Sequence, residues 1–250
     1  MAKRRLKTGN IIAFIILLIC LISIIFSVYK IIEWKINVDK NNEIQEDLKE
    51  HIDINNTVDK KERKYNIDWK SLKEKNSDIV AYLKVNGTNI DYVVVKGNDN
   101  SYYLNHNIYK EYNIAGSIFM DYHNKLDGKD RNIVIYGHNT SDGSMFGTLK
   151  NTLNKDWYEN EENREIVLAT EDEEYYYQVF STYSVKPNNY YINTQFDNDK
   201  KFDSFIKDLK VKSIYNYNVE VSKEDKILTL SSCYGNSSRR VVLHAKLIKR

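Results

Sequence analysis

Cys233 is the only cysteine outside an apolar N-terminal run. It ends the segment Ile227-Leu-Thr-Leu-Ser-Ser232, with Arg239, Arg240 and His244 soon after it. A thiol attacks acyl carbon as its thiolate, so it needs a base or cation nearby and a donor for the oxyanion that develops on the carbonyl. Five histidines are available. His51 lies in a polar, solvated segment, and His106 and His123 lie in tyrosine- and asparagine-rich loops that give them surface or hydrogen-bonding roles. His138 differs: Ile133-Val-Ile-Tyr136 reads as a buried strand, and Gly137 is expected to let the chain turn sharply and deliver an imidazole at a strand end.

Arginine supplies the third group. In Arg240-Val-Val-Leu-His244 a period of two separates Arg240, Val242 and His244 from Val241, Leu243 and Ala245. With the apolar set facing a core, Arg240 starts the strand near the loop that carries Cys233, and Arg239 points the other way. A guanidinium is permanently charged and donates two parallel hydrogen bonds, which lysine cannot reproduce. His244 is the runner-up base, but it lies further along the strand and reads as structural. Taken singly, each residue also fits a bland role, since a lone cysteine is commonly a small core hydrophobe.

These residues need strands to position them. Ala81–Val85 precedes the hairpin-type pair Asn86-Gly87, and 90–95 precedes Gly97-Asn98-Asp99. Further strands are expected at 116–121, 131–136, 165–170, 175–185, 226–232 and 240–247. Eight short strands with little helix between them predict a closed or nearly closed β-barrel. Phe202, Phe205, Ile206 and Leu209 fall at i, i+3, i+4, i+7, which predicts a helix over Asp199–Lys212 inserted between two strands. The folded part begins near Tyr65. There Ile67, Trp69 and Leu72, then Ile79, Tyr82 and Leu83, predict one or two short helices around the capping signal Asn76-Ser-Asp78.

The N-terminus sets the compartment. Ile11 to Tyr29 carries no charge, and at about 1.5 Å per residue it covers roughly 28 Å of hydrocarbon. It runs on into Lys30-Ile-Ile-Glu-Trp34 without a small-residue cleavage pattern, so an uncleaved anchor is expected. Lys3, Arg4, Arg5 and Lys7 precede it, which places the N-terminus in the cytoplasm and the rest outside. The expected layout is a cytoplasmic segment 1–10, a transmembrane segment 11–29, a partly helical, solvated stalk 30–64 and a catalytic domain 65–250. With 37 Lys and Arg against 35 Asp and Glu, no basic field points to nucleic acid. Cys233 has no external partner for a disulfide, so an exported chain carries it as an unpaired, oxidisable thiol. No segment has zinc-ligand spacing, LDGKDRN at 126–132 lacks the alternating acids of a calcium loop, and no metal or cofactor is expected.

The strand-end motif TLSSC with its following arginine resembles the TLxTC…R signature of the sortases, and YGHN at 136–139 resembles that family's histidine motif. The stretch from Asp68 through Asn107, GSIFMDYHN from Gly116 and the helix near 200–212 are similar to class B sortases, so the resemblance covers about Tyr65 to Arg250. It implies a mostly β fold, a closed eight-stranded sortase-type barrel with N-terminal helices and a helix inserted between late strands. It also implies a cysteine transpeptidase of the outer membrane face. Cys233 matches the nucleophile, His138 the histidine that protonates the leaving amine, and Arg240 the arginine that stabilises substrate and oxyanion. The implied partners are sorting-signal peptides of secreted proteins and an amine acceptor from peptidoglycan or a pilin. Two positions depart from the pattern: Ser232 stands for the usual Thr, keeping the hydroxyl, and Val93 stands where Pro is frequent, with a looser strand edge expected. The competing readings are a hydrolytic cysteine peptidase using the same residues, and a non-catalytic membrane-tethered binding protein.

Overall fold

Alternation along the strands builds the molecule in layers. The computed structural model describes residues 8–54, 65–233 and 239–248. In chain order its elements are α1 (Thr8–Lys49), β1 (Ile52–Ile54), β2 (Tyr65–Ile67), α2 (Trp69–Lys75), β3 (Ile79–Val85), β4 (Asp91–Val95), β5 (Phe119–Met120), β6 (Asn132–His138), α3 (Lys155–Glu159), β7 (Glu165–Ala169), β8 (Glu174–Val185), α4 (Asp199–Lys212), β9 (Ile227–Cys233) and β10 (Arg240–Ile248). β1 and β2 form a separate antiparallel ribbon, and β3 to β10 close into a barrel in the order β10-β8-β7-β3-β4-β5-β6-β9. Leu83, Val94, Ile135, Leu168, Leu230 and Leu243 meet inside it. Their strand neighbours Tyr82, Val93, Val134 and Val167 point outward into a second apolar layer. Both faces of these strands are therefore buried, which explains their unbroken Val and Ile runs.

The eight expected strands are all present, and so is the inserted helix. α4 is capped by Asn198, whose side chain accepts from the Lys201 amide at 3.0 Å. It buries Phe202, Phe205, Ile206 and Leu209 against Phe180, Tyr183 and Val242 of β8 and β10. Three local expectations need correction. Among the described residues one short helix, α2, forms just before the barrel as the lower of the expected numbers, but Ile79, Tyr82 and Leu83 lie in β3, and their helical spacing arises from a strand buried on both faces. Val93 loosens nothing, being buried and paired with Tyr82. Gly137 makes no turn: it continues β6, and a Cβ there would fall 2.4 Å from Ile118 Cδ1 and 2.8 Å from Phe146 Cγ. Glycine lets the last part of β6 lie directly on that core layer.

The N-terminal region differs most from its expected form. α1 is one helix of 42 residues whose stretch 9–32 is exposed throughout. Beyond it the helix lies on the domain, burying Val38, Asn41, Ile44, Gln45 and Leu48 at helical spacing. Asn113 Nδ2 donates to the Asn37 carbonyl at 2.8 Å, Lys40 pairs with Glu111 at 2.7 Å, and Lys75 pairs with Asp47 at 2.7 Å. The segment read as a solvated stalk is thus docked as far as Lys49. Its contact stripe mixes amides with aliphatics, so apolar spacing understates it. The remainder of the expected stalk, 55–64, lies outside the described residues.

Candidate active site

β6 and β9 run parallel as neighbours, and their register pairs Gly137 with Ser232 and His138 with Cys233. Two residues about 95 positions apart in sequence therefore end adjacent strands at the same rim. β10 returns antiparallel to β9, their ladder reaches Val242 opposite Ser231 at this rim, and Arg240 begins β10 two residues beyond that pair. Ser232 ties this corner together, its hydroxyl accepting from the Val241 amide at 2.8 Å. That bond gives the hydroxyl at 232 a structural task, which serine performs as well as threonine.

His138 is half-buried, and its Nε2 lies 2.6 Å from the Leu104 carbonyl. A carbonyl only accepts, so Nε2 carries the hydrogen and Nδ1 is the nitrogen left to give or take a proton. Arg240 is half-buried and donates from one terminal nitrogen to the Tyr191 hydroxyl at 3.3 Å. Tyr191 is fully buried, and its hydroxyl also lies 3.1 Å from Ser231 Oγ. Arg239, by contrast, is exposed and bonds Ser184 on β8, with Nε 2.9 Å from that hydroxyl. The expected division between the two arginines follows the strand alternation: Val241, Leu243 and Ala245 belong to the barrel interior.

The other histidines lie apart from this rim. His106 stacks on Tyr102 at 4.0 Å between ring centroids, and His123 Nδ1 lies 2.8 Å from Asp121 Oδ1. His244 is completely buried. Thr229 gives its hydroxyl hydrogen to Asn132 Oδ1 at 2.7 Å, so at 2.9 Å it accepts from His244 Nδ1, and Nε2 accepts from the Tyr183 hydroxyl at 2.9 Å. The neutral ring is fully satisfied, and burial pushes its pKa down to about 3. Between about pH 6.5 and 5 the unfolded chain binds a proton at this position that the folded chain refuses. Stability should therefore fall as pH falls, by up to about 1.4 kcal/mol per pH unit from this group. Urea melts across that range should show a flatter dependence for His244→Gln than for the wild type, and equal slopes would refute the assignment.

Two parts of the site carry no sequence signal of their own. The Leu104 acceptor is a backbone atom in a loop, and Tyr191 is one of twenty tyrosines. Among the described residues no cluster of His, Cys, Asp and Glu could hold a metal ion. A cavity of about 630 Å³ lined by Trp69, Glu171, Glu174 and Ile248 opens at the end of β10 opposite to Arg240, away from this rim.

Comparison with known proteins gives consistent matches. The family model for the sortase domain matches residues 83–248. Sortase B of Staphylococcus aureus (strain NCTC 8325 / PS 47) is 34% identical over 236 residues, which cover 93% of this chain and 95% of that protein. The structure of sortase B from B. anthracis in complex with AAEK1 superposes with a TM-score of 0.75 at 33% identity, covering 86% of this chain and 99% of that one. A Staphylococcus aureus sortase B–substrate complex gives 0.68 at 38% identity over 72% of this chain and 84% of that one.

Proposed function

The chain belongs to the sortase family of cysteine transpeptidases, in its class B branch, and from that premise we propose that Cys233, His138 and Arg240 form its catalytic centre. The observation that carries the assignment is the pairing of His138 with Cys233 at the ends of two parallel strands. Partners in neighbouring strands lie side by side in the sheet, strands being about 4.8 Å apart. The register of β10 brings Arg240 to the same corner from the other side.

In this reading His138 Nδ1 takes the Cys233 thiol proton, and the thiolate attacks the threonine carbonyl carbon of a C-terminal sorting pentapeptide on an exported protein. The Arg240 guanidinium donates to the oxyanion as it forms. His138 protonates the departing amide nitrogen from Nδ1, the C–N bond breaks, and a thioester remains on Cys233. A peptidoglycan or pilin amine then attacks the thioester carbon. His138 takes the proton lost by that amine and passes it to the sulfur as the C–S bond breaks, which restores the thiol and the neutral imidazole. The similar S. aureus sortase B was solved as a complex with substrate, which supports a substrate-binding role for this chain.

A hydrolytic peptidase would use the same residues and pass the acyl group to water. Mass spectrometry of products from the full chain, given sorting peptides with and without oligoglycine or diaminopimelate, separates the two. An amine-linked product dominating when the amine is present supports transfer, and hydrolysis unaffected by the amine refutes it.

The exposed apolar half of α1 supports membrane anchoring with the domain outside. It is long and apolar enough to cross a bilayer, and none of its most apolar stretch is buried in the protein. Four basic residues precede it, which orients the N-terminus inward. Protease added to intact protoplasts should degrade the domain, whereas a protected domain would separate the enzyme from both substrates and overturn this arrangement.

A further inference from the structure

α1 makes one contact that apolar docking does not require. Asn41 is 2% exposed, donates through Nδ2 to the Gly116 carbonyl at 2.9 Å, and leaves its Oδ1 buried with no hydrogen-bond partner. A buried acceptor left open costs roughly 1–3 kcal/mol. A leucine at this position would extend the stripe of Val38, Ile44 and Leu48 without that cost. The amide is held for its donor, and the donor's target leads to the active site. Gly116 sits at φ +60°, where a Cβ would fall 2.6 Å from the carbonyl oxygens of both Tyr103 and Leu104. Its backbone lies flat against the carbonyl that receives His138 Nε2. The adjoining residue repeats the brace, since the Ser117 amide donates to the Tyr103 carbonyl at 2.9 Å.

We propose that Asn41 is a positioning residue for His138: by anchoring Gly116 it holds the Leu104 carbonyl against Nε2–H and keeps Nδ1 as the proton-transferring nitrogen. The proposal rests on the reading of His138 as the proton carrier. It makes the docked half of α1 part of the catalytic apparatus. Without the brace the Leu104 carbonyl can drift, and a neutral imidazole then populates the Nδ1–H tautomer, which has its lone pair on the wrong side.

The test uses the full chain in detergent micelles, with histidines labelled by ¹⁵N and a fluorogenic sorting peptide as substrate. Wild type should show His138 protonated at Nε2, the resonance being assigned by its loss in His138→Ala. Asn41→Ala should bring in the Nδ1–H tautomer and lower kcat about 10-fold, the scale for a slightly misplaced reacting group, with KM within about twofold. Asn41→Ser, which restores a short donor, should recover part of both. Gly116→Ala should give the same signature from the loop side, covering the case in which Asn41→Ala fails to fold. Trp157→Phe, in α3 and outside both α1 and the Leu104 loop, loses its hydrogen bond to the Asn86 carbonyl, and it should lower the melting temperature while leaving spectrum and kcat as in the wild type. Wild-type spectrum and kcat in Asn41→Ala, or the same changes in Trp157→Phe, would overturn the proposal. Full turnover by His138→Ala would instead overturn the mechanism on which it rests.

Discussion

Cys233→Ala should abolish peptide cleavage, lowering kcat by about 10⁴-fold or more, as loss of a covalent nucleophile does. The fold should survive, because alanine keeps the backbone of β9 and the strand's barrel-interior side chains are Leu228 and Leu230. In a Cys20→Ser background a charged methanethiosulfonate should label the wild-type chain and not the variant. Cys20 is the other thiol of the sequence and lies within the apolar span, so its removal makes the label report on position 233. Cleavage retained in Cys233→Ala would remove the thiol from the mechanism. Absence of labelling would mean that the thiol cannot reach a solvent-borne electrophile.

The second large effect is expected at the arginine pair. Arg240→Ala should lower kcat/KM by about 10²-fold or more, the usual consequence of losing an oxyanion donor, and Arg240→Lys should recover little, because an ammonium cannot reproduce the planar fork. Arg239→Ala should cost far less, since that side chain is exposed and bonds Ser184 on the far side of β10 from β9. The contrast tests the strand register itself: shifting β10 by one residue would exchange the two arginines. Equal losses, or a larger loss at Arg239, would show that the corner between β9 and β10 is built differently.

Much of this arrangement is legible in the sequence because the barrel strands alternate through most of the core, with register shifts only at Ile79/Ala81 and His244/Ala245 among the described pairs. Val241, Leu243 and Ala245 line the interior as the period of two requires, and that phase alone separates Arg240 from Arg239. α4 is equally legible, its four buried residues forming one helical stripe. The failures have a common cause in contacts that apolar spacing does not encode. Asn41 and Gln45 are polar and buried, so the docked half of α1 reads as solvated. Ile79, Tyr82 and Leu83 satisfy a helical spacing because β3 is covered on both faces and nearly every position is apolar. Gly137 is small for the sake of Ile118 and Phe146, which are remote in sequence, and the acceptor for His138 is a main-chain oxygen that any residue would supply. Cys233, His138 and Arg240 stand out in the sequence because their chemistry is rare, and in the structure each lies at a strand terminus.

The parallel pairing of β6 with β9 also bears on how activity first arises in a newly made chain. A parallel pair cannot close through a hairpin, and here β7, β8 and α4 must all be made and routed before β9 can slot beside β6. Contacts of such sequence separation form late and slowly, because the entropy of loop closure is lost before they stabilise anything. The strand ends that carry Cys233 and His138 are therefore brought together by a contact of long sequence separation, which is expected to form late in folding. Enzymatic activity should then return during refolding with the slowest phase that completes the barrel, behind the local ordering of α4. The same topology keeps a partly folded chain from cleaving peptides before its barrel is complete.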